Sequence, residues 1–257
     1  MHAISLLQIA PTLAEFFEVR LNSPARPVTS ILNFMHTCNP HVVVLVVIDS
    51  LDLHVYSEFA AELEVLHRLV EQNGLLFAFE QVSSHTTPAI ASLLTGLDPE
   101  SHEIVVSADV AASKIKSILE ILDDEGMPTA AVLDTNGAKP LLGRMSHVFG
   151  VEDREDIVAY DEEIKTHTLA VLQKQDVRLV LSHLRSIDRF AHRGWDLQIA
   201  ARITNGNMKE ITEAARDRDG MLFICGDHAA HRKARNVAQD TIPIPIPVPL
   251  IVASPYP

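Results

Sequence analysis

Val42-Val43-Val44-Leu45-Val46-Val47-Ile48-Asp49 is a run of seven apolar residues, mostly β-branched, closed by a carboxylate. No polar residue interrupts the run, so it reads as a strand buried on both faces. Outward from it, strand-like runs alternate with helical patterns. Glu58–Glu71 carries Ala61, Leu63, Leu66 and Leu69 at three- and four-residue spacing and predicts an amphipathic helix. Leu75–Val82 follows as a strand, and Ala89–Leu94 opens a helix just after Pro88, a good first-turn residue. Beyond these come a helix over Ile115–Leu122, a strand over Thr129–Leu133, a helix over Glu162–Gln173 and a strand over Leu179–Leu184. A long helix across Ile199–Ala215, with Gly206 its weak point, leads to a strand over Met221–Cys225. This alternation predicts an α/β fold: a mostly parallel sheet with helices on both faces. A single domain is expected over 1–257, with the irregular stretch 135–161 as a small cap. Thr241–Pro249 alternates Ile or Val with Pro. Each Pro removes a ladder donor, which predicts an edge or polyproline-like segment.

In open α/β sheets, ligands bind at the C-terminal ends of the strands, where Asp49 emerges. On its own, an Asp there is better explained as a helix cap. Three further stretches bear on the choice. Thr86-Thr87-Pro88, with Leu94-Thr95-Gly96 downstream, offers two hydroxyls at a helix N-terminus, where free backbone N–H groups receive phosphoryl oxygens. Either threonine could equally be an N-cap. Asp188 and His192 stand four apart, on one face if helical. Such a pair is common by chance, but this one directly follows the strand Leu179–Leu184. A carboxylate with an imidazole suits Zn²⁺ or Mn²⁺ better than Ca²⁺. In Phe223-Ile224-Cys225-Gly226-Asp227-His228 the glycine allows a tight turn, and Asp227 and His228 then face the same sheet edge as Asp49.

Together and in this order, the four stretches resemble the alkaline phosphatase superfamily, which includes nucleotide pyrophosphatase/phosphodiesterases, phosphoglycerate mutases and sulfatases. The resemblance spans Val43 to Val252. It implies a two-metal site of one or two divalent ions, Zn²⁺ first and Mn²⁺ second. Asp49, Thr86, Asp227 and His228 would surround one ion, and Asp188 and His192 would hold the other. The family places its nucleophile two residues before a Pro and nine before the Thr of Thr-Gly, which selects Thr86. The continuation Thr95-Gly96-Leu97-Asp98-Pro99-Glu100-Ser101-His102 is closest to the nucleotide pyrophosphatase/phosphodiesterase branch. The implied activity is therefore metal-dependent hydrolysis of a small phosphate ester. Sulfatases carry a modified Cys or Ser where Thr86 stands, and the chain is short for the inserted domain of one mutase branch.

Three departures favour a different class, a non-catalytic relative that binds a metal and an anionic ligand or partner protein. The second metal normally has another His shortly before the last strand, and no His follows His231. His231 and, more remotely, His2 are substitutes. The phosphate-holding Asn of the phosphodiesterase branch aligns near Ser107, and the usual Gly after Ser-His is Glu103. His36, His54, His67, His147 and His167 show no ligand spacing and read as structural or exposed.

A net charge of −13 argues against nucleic acid or an anionic membrane as partner. Cys38 and Cys225 do not suggest a disulfide framework, and Cys225 reads as a small buried hydrophobe. No apolar run is long enough to span a membrane, and the N-terminus lacks a basic signal-peptide start, so a cytoplasmic location is expected. Ile4–Phe17 resembles the helix that ends many superfamily members, following a strand like Val248–Val252. A circular permutation of that C-terminal helix to the front accounts for both placements, and an unrelated amphipathic helix accounts for the first equally well.

Overall fold

The computed structural model describes residues 4–230 and 246–254. Val42–Ile48 is β1, buried along its whole length. Successive side chains point to opposite faces. Val43, Leu45 and Val47 enter one core, while Val42, Val44, Val46 and Ile48 enter the other. The remaining strands are β2 (Leu75–Phe79), β3 (Thr129–Asp134), β4 (His147–Val151), β5 (Leu179–Leu184), β6 (Gly220–Cys225) and β7 (Val248–Ala253). They form one sheet in the order β2-β7-β6-β1-β5-β3-β4. Pairing is parallel throughout, except that β7 runs antiparallel to both β2 and β6.

Helices cover both faces, as the alternating patterns predict. Ile9–Phe16, Thr29–Cys38, Thr86–Thr95 and Ile118–Asp124 contribute to the Val43/Leu45/Val47 core. Glu64–Glu71, Ile157–Leu172 and Leu197–Arg216 contribute to the opposite one. Each large aliphatic residue removed from water in these cores contributes about 1.5–3 kcal/mol. No helix among the described residues is long and apolar enough to cross a membrane.

Three local expectations are revised. The helix expected over Glu58–Glu71 is two helices, Leu53–Glu58 and Glu64–Glu71, separated by a turn. The second begins where Asn205 of the neighbouring helix accepts from Val65 N at 2.8 Å, supplying a cap the local sequence lacks. The stretch 135–161 builds part of the sheet: Thr135–Ala138 is a short helix and β4 is the edge strand beside β3. Of Thr241–Pro249, residues 241–245 lie outside the described part. The rest enters β7, which is an interior strand and not an edge. Pro249 is tolerated there for a specific reason. It faces Ala78 across the β2–β7 pair, and the Ala78 carbonyl turns outward to accept from Ile4 N at 3.2 Å. The pair is thus a non-hydrogen-bonded one, and the Pro249 nitrogen points toward β6, whose pairing with β7 stops at Leu250.

The N-terminal helix packs on the face that also receives Val248, Leu250 and Val252, with Leu6, Leu13 and Phe17 buried and Leu7 half-buried. Its neighbours on that face are the helices Thr29–Cys38, Thr86–Thr95 and Ile118–Asp124. Ile4 bonds the outer side of β2 at Ala78, two strand spacings (about 10 Å) from β7, and Ser254 lies five residues beyond the Pro249 that faces Ala78. At ~3.3 Å per residue along the strand, the described ends are separated by roughly 19 Å.

Candidate metal and phosphoryl site

β1, β5 and β6 lie side by side, and their C-terminal ends deliver Asp49, His183 and the Asp227-His228 pair to one place. Asp49 N donates to Leu184 O at 2.8 Å, extending the ladder by one residue before the chain turns. Ser50 makes that turn at φ 64°, in the left-handed region. Its N–H donates to Asp227 Oδ1 at 3.0 Å and its hydroxyl to Asp188 Oδ1 at 2.9 Å. Gly226 brings the two loops this close: a Cβ there would stand 2.0 Å from the Leu51 carbonyl oxygen. Asp52 completes the tie, accepting from Val55 N at 2.7 Å and from Ala230 N at 3.0 Å.

Asp49 is the hub. Its Oδ1 lies 3.3 Å from His228 Nε2 and accepts from Thr86 Oγ1 at 3.4 Å. Its Oδ2 lies 3.4 Å from His183 Nε2 and 3.6 Å from Arg185 Nε. Thr86 is the first residue of the Thr86–Thr95 helix, and its hydroxyl is also 3.2 Å from His228 Nε2. The structure thus gathers Asp49, Thr86, Asp188, Asp227 and His228. His192 stands at the margin, 3.3 Å from Asp188 Oδ1 with more than half its side chain exposed. His231 and His2 lie outside the described residues.

His183 is the residue that sequence reading missed. It is almost fully buried, yet it occupies a strand whose other residues are mainly aliphatic. A histidine next to the last position of a strand that is apolar apart from Ser182, at the edge where Asp49 emerges, was the available signal. Arg185 was missed too. Asp161, on the Ile157–Leu172 helix, accepts from Arg185 N at 2.8 Å and Ser186 N at 3.0 Å, and so fixes the turn leading to Asp188.

Three carboxylates so close together repel one another. Burial would raise the Asp49 pKa, but His183, His228 and Arg185 outweigh it and hold Asp49 below the usual carboxylate range. Asp227 is pushed up to about 6 by burial and then by the charge of Asp49, and Asp188 is raised for the same two reasons. Burial disfavours the charged forms of His183 and His228, but the neighbouring carboxylates raise both above the ordinary histidine value. Three buried polar atoms in this cluster make no hydrogen bond, only longer ion-pair approaches: His183 Nε2, Arg185 Nε and Asp227 Oδ2, the last 3.4 Å from His228 Nε2. Asp49, His183 and Asp227 place one donor atom each within 4.8 Å of one another, and so do Asp49, Asp188 and His228. Nitrogen and carboxylate donors converging on orphaned buried atoms fit a divalent cation of the Zn²⁺ or Mn²⁺ kind.

The family model described as Sulfatase matches residues 41–176, just over half of the chain. This chain belongs to that family. Its solved neighbours lie in the alkaline phosphatase superfamily. Phosphonoacetate hydrolase from Sinorhizobium meliloti 1021, in complex with phosphonoformate, matches with a TM-score of 0.57 and 13% identity, over 74% of this chain and 57% of that one. The C-terminal periplasmic domain of EcEptC from Escherichia coli, in complex with Zn, matches with a TM-score of 0.55 and 13% identity, over 84% and 73%. A putative sulfatase from Bacteroides thetaiotaomicron VPI-5482 gives a TM-score of 0.60 at 12% identity, over 84% and 64%. At these identities the likeness is one of fold. The chain spans a little over half the length of the phosphonoacetate hydrolase. No curated protein matches.

Proposed function

We propose that this protein is a metal-dependent hydrolase of phosphoric esters, of the phosphodiesterase kind, with Thr86 as nucleophile. The observation that carries the reading is the Thr86 hydroxyl. It sits at a helix N-terminus, within 3.4 Å of both Asp49 Oδ1 and His228 Nε2. Asp49, Asp188, Asp227, His228 and His183, with His192 at the margin, would hold one or two divalent ions. A bound ion supplies Lewis-acid polarisation of the phosphoryl oxygens and charge compensation among the carboxylates.

The rest follows from the chain's own groups. Thr86 Oγ1 forms a bond to phosphorus as the bond from phosphorus to the leaving oxygen breaks, giving phosphothreonine and an alcohol. Asp49 Oδ1 and His228 Nε2 are the atoms within reach of the hydroxyl proton. The backbone N–H groups that open the Thr86–Thr95 helix face the non-bridging oxygens and favour their negative charge. Water then attacks phosphorus, releasing phosphate or a monoester and returning the proton to Thr86. Threonine in this position, in place of a modifiable Cys or Ser, turns the reading from sulfate esters toward phosphate esters despite the family's name.

The test is turnover of 4-nitrophenyl phosphomonoesters and phosphodiesters by protein supplied with Zn²⁺ or Mn²⁺, with metal content measured alongside. Thr86→Ala is expected to abolish turnover by about 10³-fold or more, and Thr87→Ala to retain most of it. Loss in Thr87→Ala alone would move the role by one residue. Metal bound without any turnover would favour the non-catalytic, ligand-binding alternative.

A further inference from the structure

Thr86 and His183 also line a cavity of about 90 Å³ beside the Thr86–Thr95 helix. Its apolar lining includes Ile90, Leu94, Ile104, Val110, Leu133 and Leu141. Among the described residues no Phe, Tyr, Trp, Lys or Arg side chain lines it, and the His183 imidazole is the ring in its wall.

Several of the polar groups in its lining are committed elsewhere, which leaves Thr86, Thr87, Ser107 and His183 as its polar part. Glu120 pairs with Arg144 at 2.7 Å and accepts from Ser117 N and Oγ, both at 2.8 Å. Asp134 caps the helix that follows it, accepting from Asn136 N at 3.0 Å and Gly137 N at 3.2 Å. Thr95 Oγ1 donates to Ala91 O at 2.7 Å. What these residues present to an occupant is therefore mostly hydrocarbon. At ~10–15 Å³ for each water-sized position, the cavity holds roughly six to nine such positions. That suits a branched alkyl or phenyl group and is too small for a nucleoside.

From this continuity between nucleophile and cavity, we infer that the substrate is a phosphoric ester or phosphonate whose phosphorus carries a small apolar group, alkyl or phenyl, seated in this cavity. The inference rests on the hydrolase reading for its phosphorus centre, and it turns that reading away from nucleotide substrates. Because Thr86 itself lines the cavity, the apolar group belongs on the substituent next to phosphorus and not on a remote part of the molecule.

The test is titration of the metal-supplemented protein with methylphosphonate, isobutylphosphonate, phenylphosphonate and thymidine 5′-monophosphate by calorimetry. It is run beside kcat/KM for the 4-nitrophenyl esters of the first three. Isobutyl and phenyl are expected to exceed methyl by roughly 10- to 50-fold in affinity and in kcat/KM, the gain from burying their extra carbons. Thymidine 5′-monophosphate should bind more weakly than phenylphosphonate. Val110→Trp, at a half-buried position of the wall, should bring the isobutyl-to-methyl ratio below about threefold; Ile115→Trp is the independent second variant, and circular dichroism verifies folding of both. Equal affinity for the three phosphonates, or tighter binding of the nucleotide, overturns the inference even if turnover is robust. The expected binding preference with no turnover of any ester would remove the proposed catalysis and leave the cavity's assignment standing.

Discussion

At the scale of single residues, the site is held together by the loop after β1 meeting the loop after β6. Gly226 permits the approach and Ser50 spans it, so Asp49 and Asp227 are forced together with little room to separate. The consequence can be measured on the metal-free protein. Asp227 has a folded pKa of about 6, against an ordinary value of 3.8, because burial and Asp49 both oppose its charge. The folded state therefore binds that proton more tightly than the unfolded chain. The stability Asp227 contributes is fully present below about pH 4 and is lost as pH rises through about 6. Asp188 is raised in the same direction. The thermal midpoint of metal-free protein should thus fall between pH 4 and 7, and Asp227→Asn should flatten that fall. A midpoint that rises over this range in wild-type protein would contradict the arrangement. Added Zn²⁺ should offset the loss above pH 6, since metal competes with protons for the same atoms.

At the scale of elements, what the sequence made legible and what it hid divide along physical lines. Asp49 and Asp227-His228 stood out because each ends an uninterrupted apolar run, and burial of such runs fixes where they stop. His183 did not, because a Ser-His pair inside a strand looks like noise until the partner strands are known. The break between Leu53–Glu58 and Glu64–Glu71 depends on Asn205, some 140 positions away, and no local pattern reports it. The Pro-rich approach to β7 concealed an interior strand, since tolerance of Pro249 turns on which way one Ala78 carbonyl points. Asp161 belongs to this long-range class as well. It reaches from the Ile157–Leu172 helix to the first turn of the Ser186–Arg193 helix, and its loss would leave two buried N–H groups without acceptors. Asp161→Ala should therefore cost about 2–4 kcal/mol in urea denaturation and reduce metal uptake through displacement of Asp188. A cost under about 0.5 kcal/mol with unchanged metal content would show that the turn holds without it.

At the scale of the whole molecule, the order of elements along the chain can be separated from their order in space. The Ile9–Phe16 helix shares a core face with β7, and it precedes β1 along the chain. Its link to Thr29–Cys38 runs through residues 17–28, where Val28 N donates to Thr12 Oγ1 at 2.9 Å and Ser23 Oγ donates to Gly96 O at 2.7 Å. Both contacts survive a cut between Ala25 and Arg26. A protein that begins at Arg26, continues through Pro257 into Met1 and ends at Ala25 would place the helix after β7. Six residues separate Ser254 from Ile4 in that arrangement. The seven Cα steps, extended, reach ~23 Å, enough for the roughly 19 Å between the two. Because the cost of loop closure grows only slowly with length, exchanging one connection for another should change stability by about 2 kcal/mol or less. The permuted protein should unfold cooperatively within several degrees of the parent and take up the same metal. If it fails to fold while the uncut chain bearing the same Pro257–Met1 joint folds, the present connection through residues 17–28 is itself required, and the helix is not an interchangeable end of the fold.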